Sequence, residues 1–466
     1  MQDNTQLRNK YPEFIYESCD VERDVQGIHV KYTYKLGEHT FEPTVNISVS
    51  DIRNSKFNIP FVEYLLFNFG IINAISYYKL TCAPKFIVKA GPLDNKQKEF
   101  FKKLFYNGLG EFMFVNHLDI PYDQFMEIEA AKPSDEIPDY ELDEFKCHGN
   151  LIPVGGGKDS VVTLEALRDM HADNLCLLYN RDIYPSNIAA NNCITQAGYS
   201  KDSIVNFNLT IDKHMLELNK QNYYNGHIPF SSCLAFASFI MAYLNNKKYI
   251  VLSNEASANE GNITGTNINH QYSKSFEFEN DFRTYCDKYF TPKIQYFSLL
   301  RCINEYTIIQ KFLKNPRYLN IFRSCNVGTK ENKWCGHCAK CLYVFIMLYP
   351  FVPLNRLQLI FGQNMFNDRS LMDTFVSLIN PDTTKPFECV GTREEINYSL
   401  KLAVENTSGN LPYLLQYYKN TFYNPQAIFN VTNYYNPQHN IPEEYLNMLA
   451  TLWNKTLLII LKIKKY

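Results

Sequence analysis

Two groups of residues in this chain have the types and spacing to do chemistry. The first is Gly155-Gly156-Gly157-Lys158-Asp159-Ser160. An apolar stretch, Asn150-Leu151-Ile152-Pro153-Val154, precedes it. Val161, Val162, Leu164, Leu167 and Met170 follow at intervals that mark one face of a helix. Strand, glycine loop and helix form the layout of a phosphate-binding site. Glycines let the backbone approach an anion, and the N–H groups of the helix start point at it. A plain tight turn is the other use of three glycines. A Walker loop is excluded, because Asp159 stands where that pattern requires Ser or Thr after the lysine. The second group is Cys325, Cys335, Cys338 and Cys341. Two consecutive two-residue gaps let four thiolates close on a tetrahedral ion. Zinc is the default, an iron–sulfur cluster the alternative, and four unliganded cysteines the remaining reading. Trp334 and the apolar run 342–350 suggest that this knuckle packs on a core.

Three further polar clusters stand between apolar segments. Residues 253–262 carry Asn254, Glu255 and Asn259. Glu255 could hold a divalent cation and the amides a polar ligand, or the stretch is an ordinary polar loop with a helix cap. Residues 269–275 gather His270, Tyr272 and Lys274, and residues 225–232 bring His227 to a helix opened by Ser231 or Ser232. Caps and turns are the commoner use of such residues.

The elements that must position these groups alternate. Apolar runs at Leu175–Tyr179, Ile204–Leu209 and Tyr249–Ser253 predict parallel strands after the one at 150–154. Asn187–Ala197 and Ser231–Asn245 predict helices between them. The expected fold class is α/β, a doubly wound parallel sheet whose ligands bind beyond the carboxyl ends of its strands. Residues 1–145 read as a separate α+β domain with strands at Ile28–Leu36 and Phe41–Ser50 and helices at Phe61–Tyr78 and Asn95–Tyr106. The acidic stretch Ser134–Glu144 reads as a linker. The catalytic domain is expected at 146–380 and a mostly helical extension at 381–466.

Composition narrows the class. The 466 residues are 45% hydrophobic with a net charge of −2, enough apolar content for real cores and no field that would attract nucleic acid. The first twenty residues lack an apolar signal segment, and the runs Tyr64–Ile75 and Leu457–Ile463 are shorter than the roughly 20 residues of a membrane span. Clustered rather than scattered cysteines fit a reducing compartment, so a cytoplasmic protein is expected.

The hexapeptide resembles the Ser-Gly-Gly-x-Asp-Ser loop of the PP-loop ATP pyrophosphatases, with Gly155 in place of the serine. The wider set is Gly-Gly-Gly-Lys-Asp-Ser, Asn-Gly-His-x-Pro-Phe-Ser, Ser-Asn-Glu-x-Ser-Ala-Asn, Asn-His-Gln-Tyr-Ser-Lys-Ser and Trp-Cys-Gly-x-Cys-x-Lys-Cys. In that order, from Gly155 to about Pro353, it resembles the UDP-N-acetylmuramoyl-L-alanyl-L-glutamate epimerases. The resemblance implies ATP-dependent inversion of the terminal L-glutamate of UDP-MurNAc-L-Ala-L-Glu through an acyl-adenylate, with AMP and pyrophosphate released, for peptidoglycan synthesis. It implies ATP and Mg²⁺ as cofactors, a structural Zn²⁺, and a small-molecule partner. Gly155, Gly156, Gly157 and Ser160 would then cradle the pyrophosphate, Asp159 and Glu255 would hold Mg²⁺, and Asn254 would join the nucleotide site. Lys158 and Lys274 would neutralise charge in the transition state. His227 and His270 are the candidates for the two proton-transfer groups, with Cys233 and Tyr272 behind them. Ser231, Asn259, Tyr272 and Arg301 are candidates for substrate contact. The rival readings are a 7-cyano-7-deazaguanine synthase-like ligase, which is much shorter, and a tRNA-modifying enzyme, which calls for a basic surface.

Overall fold

The computed structural model describes residues 5–130, 140, 142–182, 187–263, 265–328 and 331–453. Most of the acidic stretch expected as a linker, and the apolar run 457–463, lie outside these residues.

Eleven strands form one sheet. They are β1 (Glu13–Arg23), β2 (Gly27–Leu36), β3 (His39–Phe41), β4 (Thr44–Ser48), β5 (Lys85–Val88), β6 (Glu127–Ala130), β7 (Asn150–Pro153), β8 (Asn174–Arg181), β9 (Ile204–Thr210), β10 (Tyr249–Leu252) and β11 (Gln295–Ser298). Their order is β11-β10-β7-β8-β9-β4-β2-β1-β5-β6, with β3 paired to β2. The five strands β11 to β9 are all parallel to one another. The chain winds outward from β7 in one direction through β8 and β9, then returns to the other side for β10 and β11. The reversal of direction falls between β7 and β10, the crevice where such sheets bind ligands.

These strands read as continuous apolar runs because both faces are covered. Leu151, Leu175, Leu177, Ile250 and Leu252 point into one core, with the helices Ile59–Asn73 and Phe230–Leu244. Ile152, Cys176, Leu178 and Val251 point into a second core, which holds residues of the helices Lys158–Ala166, Glu305–Leu313, Ala339–Leu348 and Arg393–Asn406.

The strands and helices expected from 150 to 253 are present within a residue or two of their predicted bounds, except that β8 extends to Arg181. Three differences stand out. The sheet does not end at the expected boundary near residue 145, since β4 pairs antiparallel with β9 through Thr44–Thr210, Val45–Leu209 and Asn46–Asn208. The first 130 residues and the parallel strands therefore share one core. Second, the predicted strand Phe41–Ser50 divides at Pro43, whose missing N–H interrupts the ladder, into β3 and β4. Third, the helical run Ile59–Tyr78 is long and apolar enough to cross a membrane by length and composition, with a mean hydropathy of 1.4. It is 78% buried inside the protein, as a core helix is. Beyond residue 353, the described chain is helical, with helices at Leu354–Phe361, Met372–Ile379, Arg393–Asn406, Tyr413–Thr421 and Glu443–Trp453.

Candidate active site

The glycine loop lies at the carboxyl end of β7, at the reversal point of the sheet. Gly156 has φ +80°, and a Cβ there would come within 2.6 Å of the Ala190 nitrogen, so only glycine fits. Gly155 differs, since nothing lies within 4 Å of its Cβ position. Its N–H donates to Ser160 Oγ at 3.2 Å, which ties the loop to the first turn of the helix Lys158–Ala166.

Lys158 is 1% exposed and points inward. Its ammonium contacts Asp159 Oδ1 at 2.5 Å and also donates to Glu305 Oε2. Burial works against its charge, but Asp159, Glu305 and Glu255 outweigh that and hold it protonated. The enclosed site likewise opposes ionisation of Asp159, and Lys158, Lys340 and Lys274 overcome it, holding the carboxyl below the usual range. Glu305 goes the other way. Burial, with Asp159 and Glu255 nearby and Lys158 opposing, pushes its carboxyl up to about 8. Oxygens of Asp159, Glu255 and Glu305 lie within 4.8 Å of one another, close enough to share one cation. Glu305 is the first residue of its helix, and its N–H donates to Glu395 Oε1 at 2.6 Å, so a C-terminal helix fixes it.

Arg301 was expected to meet a ligand's carboxylate or diphosphate. It is instead fully buried, and its guanidinium donates to the Glu255 carbonyl at 2.7 Å, to the Lys274 carbonyl, and to Glu279 Oε2 at 3.2 Å. It clamps together the two loops that present Glu255 and Lys274, a positioning role.

The histidines stand beyond Lys274. The ring centroids of His227 and His270 are 4.2 Å apart, so the two rings form one wall rather than flanking a carbon from both sides. His270 Nδ1 donates to Glu111 Oε2 at 2.5 Å, and His227 Nδ1 is 3.8 Å from the same oxygen. Glu111 comes from the helix Gly110–Val115 in the N-terminal part of the chain. These three residues also place ligand atoms within 4.8 Å of one another. The direct histidine–carboxylate hydrogen bond is the geometry of a base and its orienting acid rather than of ligands around an ion. Burial, joined by the charges of His270, Lys79 and Lys274, lowers His227 to about 3 and keeps it neutral. Burial also disfavours charge on His270, but the Cys389 sulfur and the Glu111 carboxylate that face its ring outweigh that and raise its pKa to about 9. The His227 loop is held from the N-terminal part, where Lys79 Nζ donates to the Gly226 carbonyl at 2.6 Å.

Two lysines converge on Cys389, in the loop before the helix Arg393–Asn406. Lys274 Nζ donates to its Sγ at 3.1 Å, and Lys340 Nζ donates to its carbonyl. Glu111, Glu305 and Cys389 are not singled out by the sequence, and Lys340 stands out there only as the lysine of the cysteine knuckle. Glu305 alone carried a local signal, an acid directly after the cap residue Asn304.

The other expected residues are placed as follows. Asn254 Nδ2 donates to Ser298 Oγ at 3.1 Å, bridging the ends of β10 and β11. Asn259 Oδ1 accepts from the Phe276 N–H at 2.8 Å. Asn259 and Tyr272 line a polar cleft of about 500 Å³, beside a second cleft of about 530 Å³ lined by Tyr106, Gly110, Met113, Phe114 and Ile268. Ser231 sits in the first turn of the helix Phe230–Leu244, whose cap is Pro229 rather than a serine. Cys233 is buried in the core, with its thiol pushed up to about 12 by desolvation. In these loops the buried Ser257 Oγ and Gln271 Oε1 have no hydrogen-bond partner among the described residues, as expected where a polar ligand binds.

The four cysteines of the knuckle converge and could bind a metal. Cys325 and Cys338 have sulfurs 3.8 Å apart, Cys335 and Cys341 3.6 Å, and Cys338 and Cys341 3.5 Å. A tetrahedral zinc with bonds of about 2.3 Å spaces its sulfurs by about 3.8 Å. The N–H groups of Gly328 and Cys335 donate to Cys325 Sγ, and that of Cys341 donates to Cys338 Sγ. Trp334 packs between Phe322 and Phe361, seating the knuckle on the second core.

Comparison with known proteins agrees over most of the chain. Residues 5–299 match the MurL N-terminal domain and residues 321–426 the MurL C-terminal domain. A UDP-N-acetyl-alpha-D-muramoyl-L-alanyl-L-glutamate epimerase of Xanthomonas oryzae pv. oryzae (strain MAFF 311018) is 30% identical over 82% of this chain and 83% of its own. A protein of the same description from Micromonospora sp. (strain ATCC 39149 / NRRL 15099 / SCC 1413) is 30% identical over 86% and 89%. One from Salinispora tropica (strain ATCC BAA-916 / DSM 44818 / JCM 13857 / NBRC 105044 / CNB-440) is 31% identical over 80% of each. No solved structure matches. The matched domains cover the sheet, the glycine loop, the histidine wall and the cysteine knuckle alike, and the chain belongs to the MurL family of epimerases.

Proposed function

We propose that this enzyme inverts the α-carbon of the terminal L-glutamate of UDP-MurNAc-L-Ala-L-Glu, after ATP has activated the adjacent carboxylate as an acyl-adenylate. The observation that carries the reading is the junction at Lys274. This one ammonium lies between Asp159 of the glycine loop and Glu255 of the loop after β10 on one side and the histidine wall on the other. An α-proton beside a free carboxylate is hard to remove because the resulting dianion is poorly stabilised. Adenylation neutralises that carboxylate, so an enolate can form, and hydrolysis then returns the free acid.

The loop N–H groups of Gly155 to Ser160 take the phosphates. Asp159, Glu255 and Glu305 hold Mg²⁺, which when bound neutralises phosphate charge in the displacement. Lys158 keeps these carboxylates together and Lys274 faces the charge developing at the acyl group. The clefts beside residues 266–269 accept the nucleotide-sugar part of the substrate, with Asn259 and Tyr272 as contacts. Zn²⁺ in the knuckle is structural and anchors the helix Ala339–Leu348, which carries Lys340. Both substrates are nucleotide-linked and found in the cytoplasm, where the enzyme acts.

Incubation with UDP-MurNAc-L-Ala-L-Glu, ATP and Mg²⁺, followed by hydrolysis and separation of the glutamate enantiomers, tests the reading. D-Glutamate should appear together with AMP. Neither product forming would refute it. Asp159→Asn should abolish AMP release while leaving the metal content of the knuckle unchanged.

A further inference from the structure

Inversion requires proton transfer on both faces of a carbon, and the adjacent histidines offer only one wall. We propose that Cys389 is a catalytic residue of this inversion, whose thiolate, paired with the His270 imidazolium that Glu111 orients, exchanges the α-proton on one face of the activated glutamyl residue. The inference rests on the reading of the function given above and adds to it a group that supplies the chemistry.

Three widely separated segments build the arrangement. Glu111 accepts from His270 Nδ1 at 2.5 Å, and the His270 imidazole and the Cys389 thiol interact directly. Lys274 reaches the same sulfur at 3.1 Å. The groups that face Cys389 are thus Lys274 and His270 from the 269–275 loop and Lys340 from the helix Ala339–Leu348. Glu388 lies beside it on its own loop, and Glu111 and His227 stand behind His270. Burial alone would push the thiol up, but Lys274, His270 and Lys340 overcome it and bring it down to about 5. The other buried cysteines whose shifts are driven by burial, such as Cys82, Cys176, Cys193, Cys233 and Cys302, are pushed up to about 12.

The loop is held in place from several sides. The Lys385 N–H donates to the Asn262 carbonyl at 3.0 Å, Asn262 Nδ2 donates to the Pro386 carbonyl at 2.8 Å, and Asn326 Nδ2 donates to Glu388 Oε2 at 2.9 Å. Phe387 packs on Phe114 with ring centroids 5.8 Å apart. Such fixation is what a proton-transfer group needs, since its efficiency depends on position before basicity.

The step balances without a further reagent. The Cα–H bond breaks as the S–H bond forms, and the electron pair moves into the neighbouring acyl carbonyl, giving an enolate opposite the Lys274 ammonium. A proton drawn from water through a second acid then closes the other face. The Cys389 proton returns to water, so the net reaction consumes none. In the reverse direction the thiol is the donor.

The test uses the full-length enzyme in D₂O with UDP-MurNAc-L-Ala-L-Glu, ATP and Mg²⁺. Cys389→Ser should lower both D-glutamate formation and α-deuterium incorporation by about a hundredfold or more, while AMP release stays within about tenfold of wild type. Undiminished deuterium exchange in the variant would overturn the assignment, as would a parallel loss of AMP release in a folded protein, which would place Cys389 in nucleotide binding. Should the variant not fold, iodoacetamide at pH 6 carries the test. Alkylation confined to Cys389, slowed by substrate and stopping exchange, supports the proposal, and full alkylation of Cys389 with exchange intact refutes it. A wild-type enzyme forming neither AMP nor D-glutamate would instead refute the function itself, so the two failures are distinguishable.

Discussion

At the scale of single residues, charge is arranged in pairs whose partners control each other. Cys389 becomes a thiol below about 5 and His270 loses its proton above about 9, so the thiolate–imidazolium pair exists between those limits. The thiolate's share of activity is present above the lower value and lost as pH falls through it. The imidazolium's share is present below the upper value and lost as pH rises through it. A pH series of kcat/KM should therefore be bell-shaped, with limbs near about 5 and about 9, and Glu111→Gln should move the alkaline limb down. The two neighbouring glycines of the loop make a sharper contrast. Gly156→Ala forces a side chain into the Ala190 nitrogen at φ +80° and should destabilise the protein by about 2 kcal/mol or more. Gly155→Ser meets open space and should leave the melting temperature nearly unchanged and AMP formation intact.

At the scale of elements, each catalytic segment is a short loop held by something more rigid than itself. The helix Ala339–Leu348 starts at Cys338, whose sulfur accepts the Cys341 N–H, so the knuckle and the helix that carries Lys340 are one unit. Cys338→Ser should reduce the metal that the knuckle binds, lower the melting temperature, and cut epimerisation more than its distance from the substrate would suggest. Metal analysis beside calorimetry checks this. The elements also show why some of the structure was legible in the sequence. The parallel strands around residue 150 are buried on both faces and appear as unbroken apolar runs, which periodicity registers directly. β1 is not legible, because its pairing with β2 shifts register between Tyr16 and Ser18 and its later residues face solvent. β5 and β6 contain Lys85, Glu127 and Glu129 and β11 opens on Gln295, so none shows the unbroken apolar run of the equally short β10. The glycine loop and the four cysteines are visible because local spacing defines them. Cys389 and Glu111 are not, because the contact that gives each its role spans more than a hundred residues.

At the scale of the whole molecule, the first 130 residues are an integral part of the sheet. β9 is an edge of the parallel sheet until β4 pairs with it, and the core behind it mixes Phe69 with Phe207 at a ring separation of 5.0 Å. A fragment comprising residues 146–466 should be insoluble or expanded, with exposed apolar surface that binds a hydrophobic dye. Co-expression with residues 1–145 should restore a folded complex. A well-dispersed amide spectrum from the fragment alone would show that the expected boundary is a real domain border. The same design explains how a net charge near zero coexists with a site dense in charges of both signs. Lys158, Lys274 and Lys340 meet Asp159, Glu255 and Glu305 inside the protein, where the balance is invisible to any total taken over the chain.

The wide spacing of Glu111, His270 and Cys389 along the chain also has a consequence in time. During synthesis the glycine loop and the histidines leave the ribosome well before residue 389, so a growing chain holds the means to activate a carboxylate before it holds the sulfur next to it. Glu305, however, is fixed through the backbone by Glu395, six residues beyond that sulfur. The acid that completes the cation cluster and the thiol thus come into register together. A nascent chain therefore lacks both the fixed acid and the thiol until residue 395 has been made.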